Sequence, residues 1–172
     1  MQVNSFENLE TTQFLTFLVA NEEYGVHITD IQEVRAWEGV NALPRTPKYV
    51  AGIISLRNEI VPIIDLRQRL DIEPRDYDNQ TVVAILKVRN HDSEHLIGIV
   101  VDGVSDVLTT DIKQIKPTPD FGQTPGEEVV TGIISDAQRM VILINVNKLI
   151  SKSELTSLNN KIKMYSAMAA GE

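Results

Sequence analysis

The chain has 172 residues, a formal net charge of −8, and 42% hydrophobic against 23% charged residues. This composition is ordinary for a globular protein of one compact domain or two small fused ones. The negative charge argues against a general binder of nucleic acid or of anionic membranes, because both of those partners require a basic surface.

Further classes are excluded by what the sequence lacks. It contains no cysteine, which excludes disulfide bonds, thiol catalysis and thiolate metal sites. No apolar run approaches the roughly 20 residues that a membrane-spanning helix requires. The first residues lack the basic segment and apolar core of a secretory signal. We therefore expect a cytoplasmic protein that does not insert into a membrane.

The chain begins with a polar segment followed by two predicted strands. Residues 1–12 are polar, and we expect them to be flexible. Residues 13–20 are mostly apolar and predict a strand. Apolar side chains alternate over residues 24–28, which predicts a second strand with one covered face.

A short helix is predicted next. Thr29 and Gln32 have the spacing of a helix capping box. Apolar residues follow at every third position, namely Ile28, Ile31, Val34 and Trp37. This spacing predicts a helix over residues 29–35 with a continuous apolar side.

The stretch from Val50 to Leu66 contains two apolar, β-branched runs separated by the polar triplet Arg57-Asn58-Glu59. Such runs, joined by a short polar link, predict a β-hairpin. Asn58 is the natural candidate for a left-handed turn position, because asparagine tolerates positive φ better than other non-glycine residues. The hairpin would therefore present Arg57 at its end, beside the tip.

A polar interruption separates this region from the second half of the chain. Residues 71–80 are rich in acidic residues, contain a proline and have almost nothing to bury, which marks a boundary. Strands are predicted over residues 81–88 and 96–101. From residue 151 apolar residues recur at helical spacing, with Ser153 as a candidate cap, so residues 151–172 are predicted as a C-terminal helix or tail.

The hairpin stretch occurs twice in the sequence. Residues 130–146 match residues 50–66 without a gap after a shift of 80 positions, with identity at Val50/Val130, Gly52/Gly132, Ile53/Ile133, Ile54/Ile134, Ser55/Ser135, Val61/Val141 and Ile64/Ile144. Residues 24–34 and 97–107 match at a slightly different offset. The sequence therefore predicts an internal duplication of a unit of about seventy residues, with too few copies for a solenoid.

These elements together predict an all-β protein, because many short strands alternate with Gly- and Pro-rich loops. Given the duplication, we predict two small antiparallel barrels, one in residues 13–80 and one in residues 81–150. Each unit alone buries little apolar surface, so we expect a third apolar contact between them. Strand exchange between the units would blur the boundary near residue 80.

Catalytic and metal-binding patterns are weak. Of the histidines His27, His91 and His95, the last two fall in a polar segment that is typical of a solvated loop. Asp65 and Asp102 could form a carboxylate pair, but a strand end and a turn explain them more simply. There is no nucleophile elbow and no phosphate loop. We predict a protein without enzymatic activity or cofactor; the alternative is a small catalytic barrel that uses Asp65 or Asp102.

An interaction surface is the stronger hypothesis, and Arg57 is its first candidate. Its guanidinium could pair with a local carboxylate such as Glu33 and only fix the hairpin. Alternatively, its planar fork of donors could bind carboxylates or carbonyl groups of a partner, as arginines do at interface hot spots. Trp37 has the same two interpretations, packing or partner contact. For both residues, spacing alone favours the structural role.

Three long motifs occur in order along residues 13–150. They read E-Y-G-V-x-I-x-x-I-Q-E-V, G-I-I-S-L-R-N-x-I-V-P-I-I-D-L-R and G-I-V-V-D-G-V-S-D-V-L. Together they resemble the CheW family of bacterial chemotaxis coupling proteins. The resemblance implies two SH3-like five-stranded barrels with short helices, which agrees with the duplication. It also implies a non-catalytic adaptor that joins the cytoplasmic tips of chemoreceptors to the chemotaxis histidine kinase, whose regulatory domain has the same fold, in membrane receptor arrays.

The resemblance also implies residues that bind each partner. The receptor-binding groove between the barrels corresponds to Ile31, Glu33, Val34, Arg57, Val82 and Val107. Apolar side chains flanked by one Glu and one Arg suit an amphipathic helical hairpin. Kinase contacts come from barrel ends and edge strands in the family, and here they correspond to Asn58, Glu59 and Val61. In this light the partner-binding role of Arg57 becomes the favoured one.

One motif departs from the family pattern. The family has N-L-R-G at the hairpin where this chain has S-L-R-N, so Asn58 stands in place of a glycine. Asparagine occupies a positive-φ position at modest cost, so we expect Arg57 to remain at the hairpin end, in an orientation that Asn58 could alter. The resemblance leaves open whether the pathway is flagellar chemotaxis or a related one such as twitching motility.

Overall fold

The computed structural model describes residues 10–89, 92–118, 127–136 and 138–170. Its strands, in chain order, are β1 (Thr11–Val19), β2 (Glu22–His27), β3 (Ile31–Ala36), β4 (Val50–Leu56), β5 (Glu59–Asp65), β6 (Val82–Arg89), β7 (Glu94–Val101), β8 (Gly103–Asp111), β9 (Ile115–Lys116), β10 (Val130–Asp136) and β11 (Arg139–Ile144). They form a five-stranded sheet in the order β3-β6-β7-β5-β4 and a six-stranded sheet in the order β8-β1-β2-β11-β10-β9.

The helical segments are short, apart from the last one. α1 covers Leu66–Arg69, α2 covers Lys152–Ala170, and 3₁₀ turns cover Ile28–Asp30, Ile112–Gln114, Glu127–Val129 and Val146–Lys148. α2 confirms the predicted C-terminal helix. Its cap is Ser151 rather than Ser153, because the Ser151 hydroxyl accepts the Glu154 N–H at 3.1 Å. No helix within the described ranges is long and apolar enough to cross a membrane.

The hairpins β4–β5 and β10–β11 show the predicted internal duplication. Both have a register shift at the same place, between Val50 and Gly52 in the first and between Val130 and Gly132 in the second. A Cβ atom on Gly52 would collide with the Asn41 carbonyl oxygen, so this glycine permits the close approach of the two segments. The all-β prediction, with few helices, is confirmed.

Each sheet contains one parallel strand pair, where the prediction has antiparallel barrels throughout. β5 pairs with β7 in one sheet, and β2 pairs with β11 in the other. Both sheets also mix strands from before and after residue 80. Sheet membership therefore does not follow the predicted ranges 13–80 and 81–150, and the division of the chain into domains stays a prediction.

Three apolar clusters fill the described part of the molecule. The five-stranded sheet has its own cluster of Leu56, Val61, Ile63, Val83, Ile85 and Val100. The six-stranded sheet has another, of Phe14, Ile134, Val141 and Leu143. The third, which we call the central cluster, combines residues of both sheets with the α2 residues Leu155, Leu158 and Ile162. It joins the two sheets, which bury more apolar surface together than either would alone. The contact expected between the predicted units 13–80 and 81–150 stays a prediction, because the sheets do not follow those ranges.

The predicted helix over residues 29–35 is wrong. After the single 3₁₀ turn the chain continues as strand β3, which pairs with β6. The register shifts between Ile31 and Glu33, where β3 contains one extra residue. Such a bulge puts Ile31 and Val34 on the same face of the strand. The three-residue apolar spacing that indicated a helix therefore comes from a β-bulge.

The predicted flexible start of the chain overlaps the first strand. β1 begins at Thr11, two residues before the predicted strand over 13–20. Its first residues pair with the end of β8, since Thr11 lies opposite Asp111. Residues 1–9 lie outside the described part of the chain.

The acidic segment 71–80 is attached to the fold, although its composition predicted a boundary with almost nothing to bury. The Tyr77 hydroxyl donates to Asp65 at 2.6 Å, and the Tyr77 and Trp37 rings pack in an edge-type arrangement, with ring centroids 4.4 Å apart. Trp37 also packs against the cluster of the five-stranded sheet, which supports its packing interpretation.

Candidate interaction site

The β4–β5 hairpin ends in a two-residue turn made of Arg57 and Asn58. Leu56 and Glu59 form the last strand pair, and the φ angles of Arg57 and Asn58 are 49° and 68°. A turn with positive φ at both positions matches the twist of the flanking strands. The left-handed prediction for Asn58 is confirmed, and the same rule extends it to Arg57, which the sequence placed only beside the tip.

Arg57 reaches from this turn to Glu33 on β3. Its Nη2 donates to Oε2 of Glu33 at 3.3 Å, and the Arg57 side chain is 72% exposed. An exposed ion pair of this kind contributes about 0–1 kcal/mol. The local ion pair therefore exists, but it leaves most of the guanidinium accessible. The other Glu33 oxygen, Oε1, is buried and has no hydrogen-bond partner within the described ranges.

Ile31, Val34 and Val82 lie on the face of the five-stranded sheet that covers the central cluster. Residues paired across antiparallel strands share a face, and the β6 partners of Ile31 and Val34 both belong to that cluster. Ile31 and Val82 pack against the cluster, whereas Val34 is exposed. These three predicted receptor-binding residues therefore share one face, and Val34 is its accessible part.

Val107 lies on β8 in the other sheet, where Val104 is exposed beside it. An extra β8 residue between them reproduces the bulge of β3, so both valines share a face. The β1 partner of Val104 is Phe17, a member of the central cluster, so these valines border that cluster from the second sheet. Sequence analysis missed Val104; the repeated spacing I-x-x-V and V-x-x-V in β3 and β8 is the signal that identifies it.

The residues predicted for kinase contact differ in accessibility. Asn58 and Glu59 are exposed at the hairpin end. Val61 is completely buried in the apolar cluster of the five-stranded sheet. Its side chain cannot contact a partner, so we correct its assignment to a core residue.

Asp65, one of the alternative catalytic carboxylates, is a buried helix cap. Its Oδ1 accepts the N–H groups of Arg67 and Gln68 at the start of α1. Its Oδ2 accepts the Tyr77 hydroxyl. A capping carboxylate satisfies backbone donors that have no partner inside the helix. These contacts give Asp65 a structural role.

Asp102, the other carboxylate, forms a bidentate ion pair with Arg67. Nε and Nη2 of Arg67 donate to its two oxygens at 3.0 and 2.6 Å, and the Ala20 N–H donates at 2.8 Å. Burial raises the pKa of Asp102, but the hydrogen bonds from Arg67 and Ala20 and the charge of Arg67 together hold it below its usual value. A general acid at neutral pH requires a raised pKa, so Asp102 does not fit that role, and its contacts with Arg67 and Ala20 give it a structural one.

The histidines make local contacts. His27 contacts the Thr12 hydroxyl through Nε2 and the Thr29 hydroxyl through Nδ1, and the ring accepts the Thr29 N–H at the start of the 3₁₀ turn. His95 contacts Ser93, and His91 lies outside the described residues. Among the residues that are described, no group of three or more side chains could hold a metal ion.

Comparison with known proteins gives one consistent result. Residues 13–154 match the family model described as a CheW-like domain. The chain is 40% identical over 153 residues to the Chemotaxis protein CheW of Klebsiella aerogenes, covering 89% of this chain and 90% of that protein. It is 27% identical over 145 residues to the Protein FrzA of Myxococcus xanthus, covering 80% and 84%. The solved structure of the scaffolding protein TtCheW from Thermoanaerobacter tengcongensis aligns with a TM-score of 0.74 at 30% identity, covering 83% of this chain and 90% of that one.

Proposed function

This chain belongs to the CheW family, and from that premise we propose that it is a non-catalytic adaptor joining chemoreceptor tips to the chemotaxis histidine kinase. Its relatives are named chemotaxis and scaffolding proteins. The adaptor would act in the cytoplasm, without a cofactor, and would associate with membrane receptor arrays only through protein contacts.

The receptor-binding face in this proposal spans the two sheets. Ile31, Val34 and Val82 supply it from the five-stranded sheet and Val107 from the six-stranded sheet, with Glu33 and Arg57 beside it. A receptor tip is an amphipathic helical hairpin, and its apolar side fits a face of exposed valines. The single observation that carries the proposal is the Arg57 guanidinium, which is 72% exposed and contacts Glu33, the residue before the exposed Val34 on β3, because arginine is enriched among interface hot spots.

The kinase-binding surface in this proposal begins at the end of the β4–β5 hairpin. Asn58 and Glu59 are exposed there and adjoin Arg57 along the chain. The edge strands β3 and β4, of which β4 is already paired with Asn41 at Ile53, offer further backbone contacts to a domain of the same fold. Receptor and kinase would then bind to neighbouring parts of one rigid hairpin.

An adaptor of this kind changes kinase activity through geometry. It holds both partners at once, so a change in the receptor alters the kinase only if the two kinase states make different contacts with the adaptor or receptor. That difference is a coupling free energy, typically 1–3 kcal/mol, and it is reciprocal. Kinase state would accordingly change receptor affinity by the same factor.

The test is a three-component binding assay. Purified protein is mixed with a receptor-tip fragment and the regulatory region of the histidine kinase from the same source, first separately and then together, without nucleotide or metal. We expect binding to each partner and a ternary complex of all three. Binding to neither partner would overturn the adaptor function.

A second candidate is the same adaptor role in another chemosensory pathway. This chain is similar to the Protein FrzA of Myxococcus xanthus as well as to the Chemotaxis protein CheW of Klebsiella aerogenes, so its relatives include differently named proteins. Repeating the assay with receptor tips and kinases from the separate chemosensory systems of the source organism discriminates the two. The tightest ternary complex identifies the pathway.

A further inference from the structure

The chain passes directly from one sheet to the other at Asp102. β7 of the five-stranded sheet ends at Val101, and β8 of the six-stranded sheet begins at Gly103. Asp102 is therefore the single residue that links β7 of one sheet to β8 of the other. Its carboxylate receives the Ala20 N–H from the β1–β2 turn of the six-stranded sheet at 2.8 Å. One hydrogen bond to the Asp102 carboxylate thus comes from the six-stranded sheet.

Asp102 is also bound from the side of the five-stranded sheet. Arg67, at the start of α1 immediately after β5, donates to the two Asp102 oxygens at 3.0 and 2.6 Å. Both side chains are largely enclosed, with 12% of Arg67 and 19% of Asp102 exposed. A bidentate arginine–carboxylate pair fixes orientation as well as distance, because its two parallel hydrogen bonds share one plane.

Arg67 is itself held from two further directions. Its backbone N–H is bound by the Asp65 carboxylate, whose other oxygen accepts the Tyr77 hydroxyl. Its Nη1 donates to the Glu73 carbonyl oxygen at 2.9 Å. The guanidinium therefore uses donors on Nε, Nη1 and Nη2 at once, and it has little freedom to follow a moving Asp102.

Apolar packing in the central cluster does not supply this kind of constraint. Hydrophobic attraction is non-directional and depends on the area removed from water, so two apolar sheet faces retain much of it when one rotates slightly on the other. A hydrogen bond weakens steeply when its angle changes. The cluster thus brings the sheets together, and directional contacts are needed to set the angle between them.

We propose that Arg67 and Asp102 are positioning residues that fix the angle between the two sheets. The consequence for partner binding rests on the proposed adaptor function. The receptor-binding face is assembled from both sheets, so its valines on β3 and β8 keep their relative positions only while that angle is constant. The pair would then set how well a receptor and a kinase bind at the same time.

The first test measures the angle without any partner. The chain has no cysteine, so Ser55→Cys and Ser135→Cys place spin labels at equivalent exposed positions, one in each sheet. Distances between the labels are measured by pulsed electron paramagnetic resonance in the parent, Arg67→Gln and Asp102→Asn. We expect a broader or shifted distance distribution in both variants, and no further change in the double variant, because either substitution removes the same contact.

Arg75→Gln is the matched control. Arg75 Nη1 is 3.9 Å from Asp102 Oδ2, the oxygen that Arg67 Nη2 also contacts, but Arg75 is exposed and pairs with Asp78. We expect the parent distance distribution in this variant. Circular dichroism first confirms folding, and Asp102→Asn carries the test alone if Arg67→Gln does not fold. Parent distributions in the folded Arg67 and Asp102 variants would overturn the proposal.

A second measurement separates this proposal from the adaptor function. In the variants we expect near-parent affinity for the kinase fragment alone, and a loss of simultaneous receptor and kinase binding on the order of tenfold, because bivalent binding depends on geometry. Altered label distances with unchanged ternary binding would overturn the consequence for partners. If the parent protein binds no partner, the adaptor function fails, and the label distances still decide whether the pair sets the angle.

Discussion

The tips of the two duplicated hairpins each use an arginine, and they use it in opposite ways. Arg57 at the first tip is 72% exposed and makes one 3.3 Å contact with Glu33. Arg139 at the second tip is 26% exposed. It donates to Glu23 at 2.6 Å, to Asp106 at 2.5 Å and to the Thr16 hydroxyl at 3.0 Å. The Arg57 guanidinium remains accessible, whereas the Arg139 guanidinium donates its hydrogen bonds to groups of the same chain.

The difference has a clear structural origin. Asp106 in β8 is the counterpart of Glu33 in β3, so the arginine of each tip contacts an acidic residue on an edge strand of its sheet. The second tip adds a carboxylate from Glu23, and its arginine stands two positions beyond the counterpart of Arg57 in the repeat. Hydrogen bonds from Arg139 to Asp106 and Glu23 raise the pKa of Arg139. The second tip therefore contributes to stability, and the first tip has the accessible guanidinium that the proposed adaptor function requires.

The largest effect is expected at the second tip. Arg139→Gln should lower the free energy of unfolding by about 2–4 kcal/mol, because it leaves Glu23 and the buried Thr16 without their charged partner. Urea denaturation followed by circular dichroism measures the loss. The matched control is Arg57→Gln, with an expected change below about 1 kcal/mol. Equal losses at the two tips would contradict the proposed division of roles.

An intermediate effect is expected at the first tip, on binding rather than stability. Arg57→Ala should weaken binding to a receptor tip or to the kinase by about 1–3 kcal/mol, measured by isothermal titration calorimetry, with folding nearly unchanged. Arg45→Ala is the control, since Arg45 is exposed and also has a positive φ of 57° but lies in the loop before β4. Reduced thermal stability together with unchanged affinity would assign Arg57 to the hairpin alone.

The smallest effect concerns acid titration at the second tip. Hydrogen bonds from Arg139 and Thr16 hold the pKa of Asp106 below its usual value. A pKa lowered by folding adds stability above the unfolded-state value of about 4, and this stability is lost as the pH falls through the folded-state value. Carboxyl-carbon NMR should show the lowered pKa, and its return toward the usual value in Arg139→Gln but not in Arg57→Gln. An unchanged Asp106 titration in Arg139→Gln would show that Arg139 is not its cause.

Sequence reasoning succeeded where the determinants are local. The turn at Asn58 follows from β-branched runs on both sides of a short polar link, and φ there is 68° as a hairpin requires. The helix from Lys152 is likewise marked by residues within a few positions. In these segments the neighbours in the chain are also the neighbours in space.

Prediction from the sequence failed where pairing with a strand far along the chain decides the local conformation. β3 has a local capping pattern and helical spacing, but pairing with β6, far along the chain, makes it a bulged strand. The Arg139 contacts join residues 116 and 33 positions away, a separation for which no spacing rule exists. Val61 was misassigned for a related reason. Whether a β5 side chain is buried depends on strands that come later in the chain, such as β6 and β7.

The order of the strands along the chain also sets an order of assembly during translation. β3 to β7 are continuous in the chain, so the five-stranded sheet has all its strands once Val101 leaves the ribosome. β1 and β2 are made first, but they pair with β8 and β11, and a lone two-stranded hairpin is marginally stable. β1 therefore lacks its partner β8 until Asp111 has been made, and β2 lacks its partner β11 until Ile144 has been made. During that interval the unpaired strand edges are sites at which the nascent chain can aggregate.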